Sequence, residues 1–413
     1  MRFLLVLLIL PLFAHFSTAQ VSSKKSSKAI EALEEWLKSD WANRPDMVEE
    51  DFAKVALTRE DAQRAKDLLI YDRKTFVKTT WSEEWDKREL AVGEYKMKFG
   101  YKTYGKKPLD GWSLYISMHG GGATSKEVND RQWKNQIRLY QPHEGIYLAP
   151  RAPTDSWNMW HQAHVDSLLD RIIEACVVFL DVNPNKVYLT GYSAGGDGVY
   201  QLAPRMADRF AAAAMMAGHP NDASPINLRN IGFAIHMGGN DGAYQRNEVA
   251  QRWGLLLDSL QKADPDGYKH NTQIHEGKGH WMEGEDKVAI PWMAKFKRQP
   301  LPDVIIWKQD DVIHNRFYWL QLADDEISKD ARVTAKLGLG EIKISKTNDI
   351  NKLTLNLDDR IMDLNKRIFI YWNDQQVFKG KVRRNILAIW RTLQQRGDRE
   401  LVFSSQLELS APK

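Results

Sequence analysis

The sequence predicts an α/β fold, a mostly parallel sheet flanked by helices, with a helical extension before it and a small β-rich domain after it. Three observations carry that expectation. Strand-like and helix-like runs alternate from about residue 90 to residue 296. Within that stretch an apolar, β-branched run, Val187-Tyr-Leu-Thr190, passes through Gly191-Tyr-Ser-Ala-Gly195 into a helical run. After Arg298-Gln-Pro-Leu-Pro302 the helical periodicity gives way to short β-rich runs.

Composition sets the outer bounds. A chain of 413 residues has room for two domains, or for one large domain with additions. With 43% hydrophobic and 27% charged residues it has the balance of a globular protein with a real core. A net charge of +4 is too small to argue for nucleic-acid binding. Cys176 is the only cysteine, so no intrachain disulfide is expected, and its apolar neighbours make it a core residue.

The elements follow in chain order. Met1-Arg2, the apolar run 3–13 and the small residues Ser17-Thr-Ala19 read as a secretory signal cleaved after Ala19. The run is too short to span a bilayer comfortably. The mature protein is thus expected to be secreted or periplasmic, without a stable membrane anchor. Residues 20–89 read as a linker and a helical extension. The polar stretch 21–28 looks like a flexible lead-in. Ile30, Leu33, Trp36 and Leu37 then recur at helical spacing. Thr58 opens a second helix as N-cap, with Glu60 and Asp61 in the first turn. Trp81 and Trp85 are expected to pack onto the main domain.

Residues 90–298 form the expected catalytic domain. Strands are predicted over 94–101, 112–118, 145–150, 187–190, 211–217, 232–237 and 272–275. Helices are predicted after 150, with Val165, Leu168, Ile172, Cys176 and Phe179 on one face, after Gly195, over 245–260 and over 288–296. Residues 303–413 read as a β-sandwich-like domain. Its runs are 304–307, 317–322, 332–336, 341–344, 352–357, 367–372, 376–378 and 400–403, with one amphipathic helix at 386–394. The break at 300–302 predicts that this tail folds as a separate unit.

The chemistry converges on the ends of the predicted strands, where parallel sheets bind ligands. A G-x-S-x-G turn between strand and helix exposes its serine, here Ser193, and its glycines let the two elements pack closely. A serine nucleophile needs a base, an acid to orient the base, and donors for an oxyanion. Asp241 follows the 232–237 strand in Gly238-Gly-Asn-Asp241-Gly. His280 follows the 272–275 strand in Gly277-Lys-Gly-His280-Trp281. Asp222, in the loop after the preceding strand, is the rival acid, whereas Asp266 sits on a surface turn. His119-Gly-Gly-Gly122 directly follows a strong strand, so Gly121 or Gly122 is expected to supply one backbone oxyanion donor and Ala194 the other. His119 is expected to support that loop. Tyr192 and Trp281, beside the serine and the histidine, are the candidate substrate contacts. No H-E-x-x-H motif or Cys/His cluster is present, so no metal or organic cofactor is implied.

From about residue 115 to residue 296 these motifs resemble the α/β-hydrolases, in the secreted esterase and polyhydroxyalkanoate-depolymerase-like branch that includes dienelactone-hydrolase-like proteins. The resemblance implies Ser193 as nucleophile, Asp241 as acid and His280 as base. It leaves the helical extension and the β-rich tail outside. It predicts a serine hydrolase of a carboxylic ester, small or polymer-linked. A peptidase on the same fold, or a non-catalytic binding protein built on it, are the alternative classes.

Overall fold

A computed structural model describes residues 22–412; the leader expected at 1–19 lies outside the described residues. The described residues open on helix α1 (Ser23–Lys38), which takes up most of the flexible lead-in expected over 21–28. Ser22 caps it by accepting the N–H of Lys25. Ser26 is fully buried, donates to Asp61 and accepts the N–H of Thr58 at 2.9 Å. A serine that reads as loop chemistry in isolation becomes a helix residue once its hydroxyl has two fixed partners.

Helix α2 (Arg59–Thr80) starts at the Thr58 N-cap, and the short α3 (Ser82–Asp86) follows. Helices α1 and α2 bury Ile30, Leu33, Ala65 and Leu69 against Ile386, Ile389 and Leu393 of a helix near the other end of the chain. The extension is therefore packed on the tail as well as on the central domain. Trp85 stacks on Phe179 with ring centres 4.9 Å apart.

The central sheet has eight strands: β1 (Glu89–Val92), β2 (Tyr95–Tyr104), β3 (Trp112–Met118), β4 (Gly145–Pro150), β5 (Val182–Tyr192), β6 (Ala212–Met216), β7 (Gly232–Gly238) and β8 (His270–His275). Their order is β1-β2-β4-β3-β5-β6-β7-β8. The β1–β2 and β2–β4 pairs are antiparallel and the remaining pairs parallel. The chain steps outward from β3 to β4, then crosses back to β5 on the other side of β3. That reversal leaves a crevice at the C-terminal ends of β3 and β5, where loops diverge.

Five helices complete the domain: α4 (Lys126–Gln136), α5 (Ala163–Leu180), α6 (Ala194–Arg205), α7 (Arg246–Ala263) and α8 (Ala289–Met293). Helix α4 had no apolar period to announce it. Its buried side chains are the amides Asn129 and Gln136. Cys176 is buried on α5, and burial pushes its thiol pKa well up.

The tail contains two sheets and helix α9 (Ile386–Arg396). One sheet orders Arg316–Phe317, Leu320–Gln321, Lys352–Leu357 and Ser405–Ser410. The other orders Gln375–Gly380, Ile368–Trp372, Glu341–Asn348, Arg332–Gly338 and Val304–Lys308. Two expected strands differ. The run 317–322 folds back as a hairpin at Tyr318, whose φ is +54°. The run 400–403 is not a strand: it leaves a 3-10 turn (Arg399–Leu401) capped by the Asp398 side chain, and the strand follows it.

The tail is tied to the central domain through buried charge. Asp398, about 1% exposed, accepts from Arg298 at 2.6 Å and from Arg209 at 2.9 Å, and both guanidiniums are equally buried. These cations hold its carboxyl far below the usual carboxylate range, against the opposing effect of burial. Arg396 pairs with the fully buried Asp208. Tyr318 donates its hydroxyl hydrogen to the carbonyl of Ala207. Asn227 both accepts from the N–H and donates to the C=O of Lys308, standing in for a strand partner. Ending the chain at Arg298 would strip Arg209 and Asp208 of these partners and uncover the apolar core that the two regions share, which weighs against a tail that folds as a separate unit.

Candidate active site

The site is assembled at the crevice beside β5. Strand β5 is buried to its end, and the chain turns sharply at Ser193, with φ +58° and ψ −122°. A non-glycine residue in that region is strained, and the surroundings hold it there. The N–H of Ser193 donates to Met216 O at 2.9 Å, and Ser193 O accepts the N–H of Asp197 at 2.9 Å. The flanking glycines have no room for a side chain. A Cβ on Gly191 would lie 2.2 Å from Gly195 O, and one on Gly195 would lie 2.2 Å from Met118 O. Ala194 is the first residue of α6, where a backbone N–H has no partner inside the helix.

The structure brings together the three residues singled out from sequence. His280 Nε2 lies 2.9 Å from Ser193 Oγ, and His280 Nδ1 lies 2.7 Å from Asp241 Oδ2. With the Nδ1 hydrogen directed to the carboxylate, Nε2 presents its lone pair to the serine hydroxyl. The Asp241 side chain is 2% exposed and that of His280 43%, so the acid is sealed in while the base faces the crevice. Arg246 stands 3.6 Å from the other Asp241 oxygen. Asp222 is turned elsewhere, accepting from Gln201 at 3.2 Å.

Main-chain bonds lace the two loops together. Gly239 N–H donates to His275 O and Asn240 N–H to Lys278 O, both at 2.8 Å. A Cβ on Gly238 would meet Gly279 O at 2.0 Å, so only glycine lets the loops cross there. Tyr192, expected as a substrate contact, is 7% exposed and spends its hydroxyl on the histidine loop. It donates to His280 O at 2.8 Å and accepts from Met282 N–H at 3.0 Å. Trp281 is 54% exposed beside it.

The glycine loop after β3 forms the opposite wall. A Cβ on Gly120 would sit 3.1 Å from Ser193 Cβ, which makes Gly120 the loop's nearest approach to the serine. The N–H groups of Gly120 and Gly121 have no hydrogen-bond partner among the described residues. Gly122, one of the expected donors, instead commits its N–H to Asn129 Oδ1 at 2.9 Å. His119 lies beneath, fully buried. Burial pushes its pKa down to about 4, so the ring is neutral at pH 7. It donates from Nδ1 to Gly120 O at 2.7 Å and accepts at Nε2 from Ala152 N–H at 3.1 Å.

The resulting cleft, of about 580 Å³, is lined by Gly120, Gly121, Gln132, Asn135, Gln136, Arg138, Leu139, Tyr192, Ser193, His280 and Trp281. Its wall carries amides, one cation and no carboxylate. Sequence reasoning missed the amides because they lie on α4. Among the described residues, no group of three or more His, Cys, Asp or Glu is placed to hold a metal ion.

Residues 138–285 match the Dienelactone hydrolase family. That span includes Ser193, Asp241 and His280 and leaves out the glycine loop. With its mostly parallel sheet and flanking helices, the central domain has the α/β-hydrolase fold. Among solved structures, the chain is similar to a thermostable esterase at 20% identity, over 51% of this chain and 64% of that one, with a TM-score of 0.40. It is similar to esterase 2 of Thermogutta terrifontis at 17% identity, over 50% of this chain and 88% of that one, with a TM-score of 0.34. A mutant of the feruloyl esterase module from Clostridium thermocellum, complexed with sinapinate, aligns at 12% identity over 50% and 90% of the two chains, with a TM-score of 0.35. The chain thus spans less than two thirds of the first esterase's length. Comparison with curated proteins found no match.

Proposed function

We propose that the protein is an exported serine hydrolase that cleaves a carboxylic ester through an acyl-enzyme. The observation that supports this reading is the hydrogen-bonded chain from Asp241 through His280 to Ser193, with Ser193 at the N-terminus of α6 and against the glycine loop. The family match over 138–285 supports an ester hydrolase in the coarser sense.

In the proposed reaction Ser193 Oγ attacks the ester carbonyl while His280 Nε2 takes the hydroxyl proton. Asp241 holds the imidazole orientation and stabilises the imidazolium. The carbonyl oxygen becomes an oxyanion facing the N–H groups of Ala194 and of Gly120 or Gly121. Collapse of the tetrahedral intermediate breaks the bond to the alcohol oxygen, which leaves with the proton from His280. Water then attacks the acyl-enzyme by the same route, giving the acid and restoring Ser193.

The test is a panel of nitrophenyl esters, feruloyl esters and peptide amides, with wild type beside Ser193→Ala. Ester turnover that Ser193→Ala abolishes is the expected result, with a fluorophosphonate labelling Ser193 alone. Labelling at another serine, or amides cleaved in preference to esters, overturns it. Export through residues 1–19 is read from the leader chemistry alone. Recovered protein is expected to begin at Gln20, and a retained Met1 refutes that.

A further inference from the structure

The glycine loop poses a physical problem. Three consecutive glycines lose more backbone freedom on ordering than any other residues, yet an oxyanion site needs N–H groups aimed before the reaction starts. Something outside the loop must fix them.

We infer that Asn129 is the positioning residue that aims the glycine loop at the developing oxyanion, and that Asp155 aims Asn129. This rests on the serine-hydrolase reading above. Asn129 is fully buried in the first turns of α4. Its Oδ1 accepts the N–H of Gly122 at 2.9 Å, and its Nδ2 donates to Asp155 Oδ1 at 2.8 Å. Asp155 O in turn accepts the N–H of Ala123 at 2.9 Å. Arg151 holds the assembly from behind, paired with Asp155 and with Asp130.

The consequence falls on the peptide planes. Gly121 has φ +115° and Gly122 has φ +80°, both in the left-handed region. Turning the Gly122 N–H away from the cleft onto Asn129 fixes the peptide between Gly121 and Gly122. The N–H groups of Gly120 and Gly121, two residues that line the cleft, are left without a partner among the described residues. A Cβ on Gly121 would lie 2.2 Å from Asn129 Oδ1, so the amide and the glycine are fitted to each other. The loop carbonyl of Gly120 is held separately by His119. Asn129 touches none of the reacting atoms; it acts through the loop.

An isosteric swap tests this in the full-length protein. Asn129→Asp keeps the acceptor for Gly122 but sets two carboxylates against each other where Nδ2 met Asp155. With nitrophenyl acetate it is expected to lower kcat about 10²-fold, as loss of an oxyanion donor does, with KM within about threefold. A trifluoromethyl ketone, which adds to the serine as a tetrahedral alkoxide, should lose affinity by the factor by which kcat/KM falls. The double variant Asn129→Asp with Asp155→Asn leaves a single carboxylate at the pair, within reach of Arg151, and so removes the repulsion; it should recover at least about tenfold.

The inference is overturned if Asn129→Asp stays within about threefold of wild type in kcat, or if it weakens kcat without weakening the ketone. A folded double variant that recovers nothing overturns it as well. Should Asn129→Asp not fold, the double variant decides alone: ketone affinity within about tenfold of wild type supports the inference, and a larger loss overturns it. Wild-type protein that turns over no ester refutes the hydrolase reading and this inference together. Failure confined to the variants of an active wild type refutes only this inference.

Discussion

Tyr192 donates its phenol hydrogen to the carbonyl oxygen of His280 at 2.8 Å, so the residue before the serine holds the backbone of the histidine. The phenol oxygen of Tyr192 in turn accepts the N–H of Met282, and the ring is almost wholly buried. Tyr192→Phe removes one hydroxyl and leaves both backbone groups unpaired, at about 1–3 kcal/mol. We expect a lower thermal midpoint and a kcat reduced roughly tenfold, with KM little changed. Unchanged kcat in the phenylalanine variant would show that the histidine loop keeps its place without this bond.

The acid is the second point of test. Asp241 reaches His280 while Asp222 reaches Gln201. Asp241→Asn should lower kcat by roughly 10⁴, since an amide favours the wrong imidazole tautomer. Added to His280→Ala it should cost little more, because the two act as one unit. Asp222→Asn should change kcat by less than about tenfold. Steady-state rates that reverse this ranking would move the acid to the earlier loop.

Stability should carry a mark of Asp197 on α6. Its Oδ1 accepts the N–H of His219 at 2.6 Å, and burial raises its pKa to about 6. The folded protein thus binds this proton more tightly than the unfolded chain, whose carboxyl titrates near 3.8. The sign is therefore opposite to that of a salt-bridged carboxylate. Its contribution is largest below about pH 4 and declines by on the order of 3 kcal/mol as pH rises through 6. Urea unfolding between pH 4 and 7 should show that decline in wild type, with Asp197→Asn lacking it. Parallel curves for the two proteins would exclude Asp197 as the source.

What could be read from residues alone depended on where the physics is local. Ser193, Asp241 and His280 each lie on a turn whose glycines announce it, and each follows a strand whose apolar pattern marks its end. Helix α4 escaped notice because its buried residues are amides held by specific partners, and hydrophobic periodicity cannot register a buried Asn129 or Gln136. The start of α1 was hidden for a related reason, since the two partners of Ser26 lie 32 and 35 residues away. The use of Gly122 and the hydroxyl of Tyr192 are likewise questions of which backbone group lies opposite, and no spacing rule encodes that. The tail's strands were legible, but its attachment was not, because ion pairs such as Arg209 with Asp398 join residues 189 positions apart.

That attachment imposes an order in time. Arg298 precedes its buried partner Asp398 by 100 residues. At about 5–20 residues per second, the carboxylate is made roughly 5–20 s after the guanidinium that awaits it, and later still for Arg209. During synthesis the central sheet is complete in sequence while its far side still presents cations to water. Its final packing is deferred until Asp398 arrives. The segment that carries Asp398 is thus the one that closes this face of the protein, and the emerging chain depends on remaining soluble until it does.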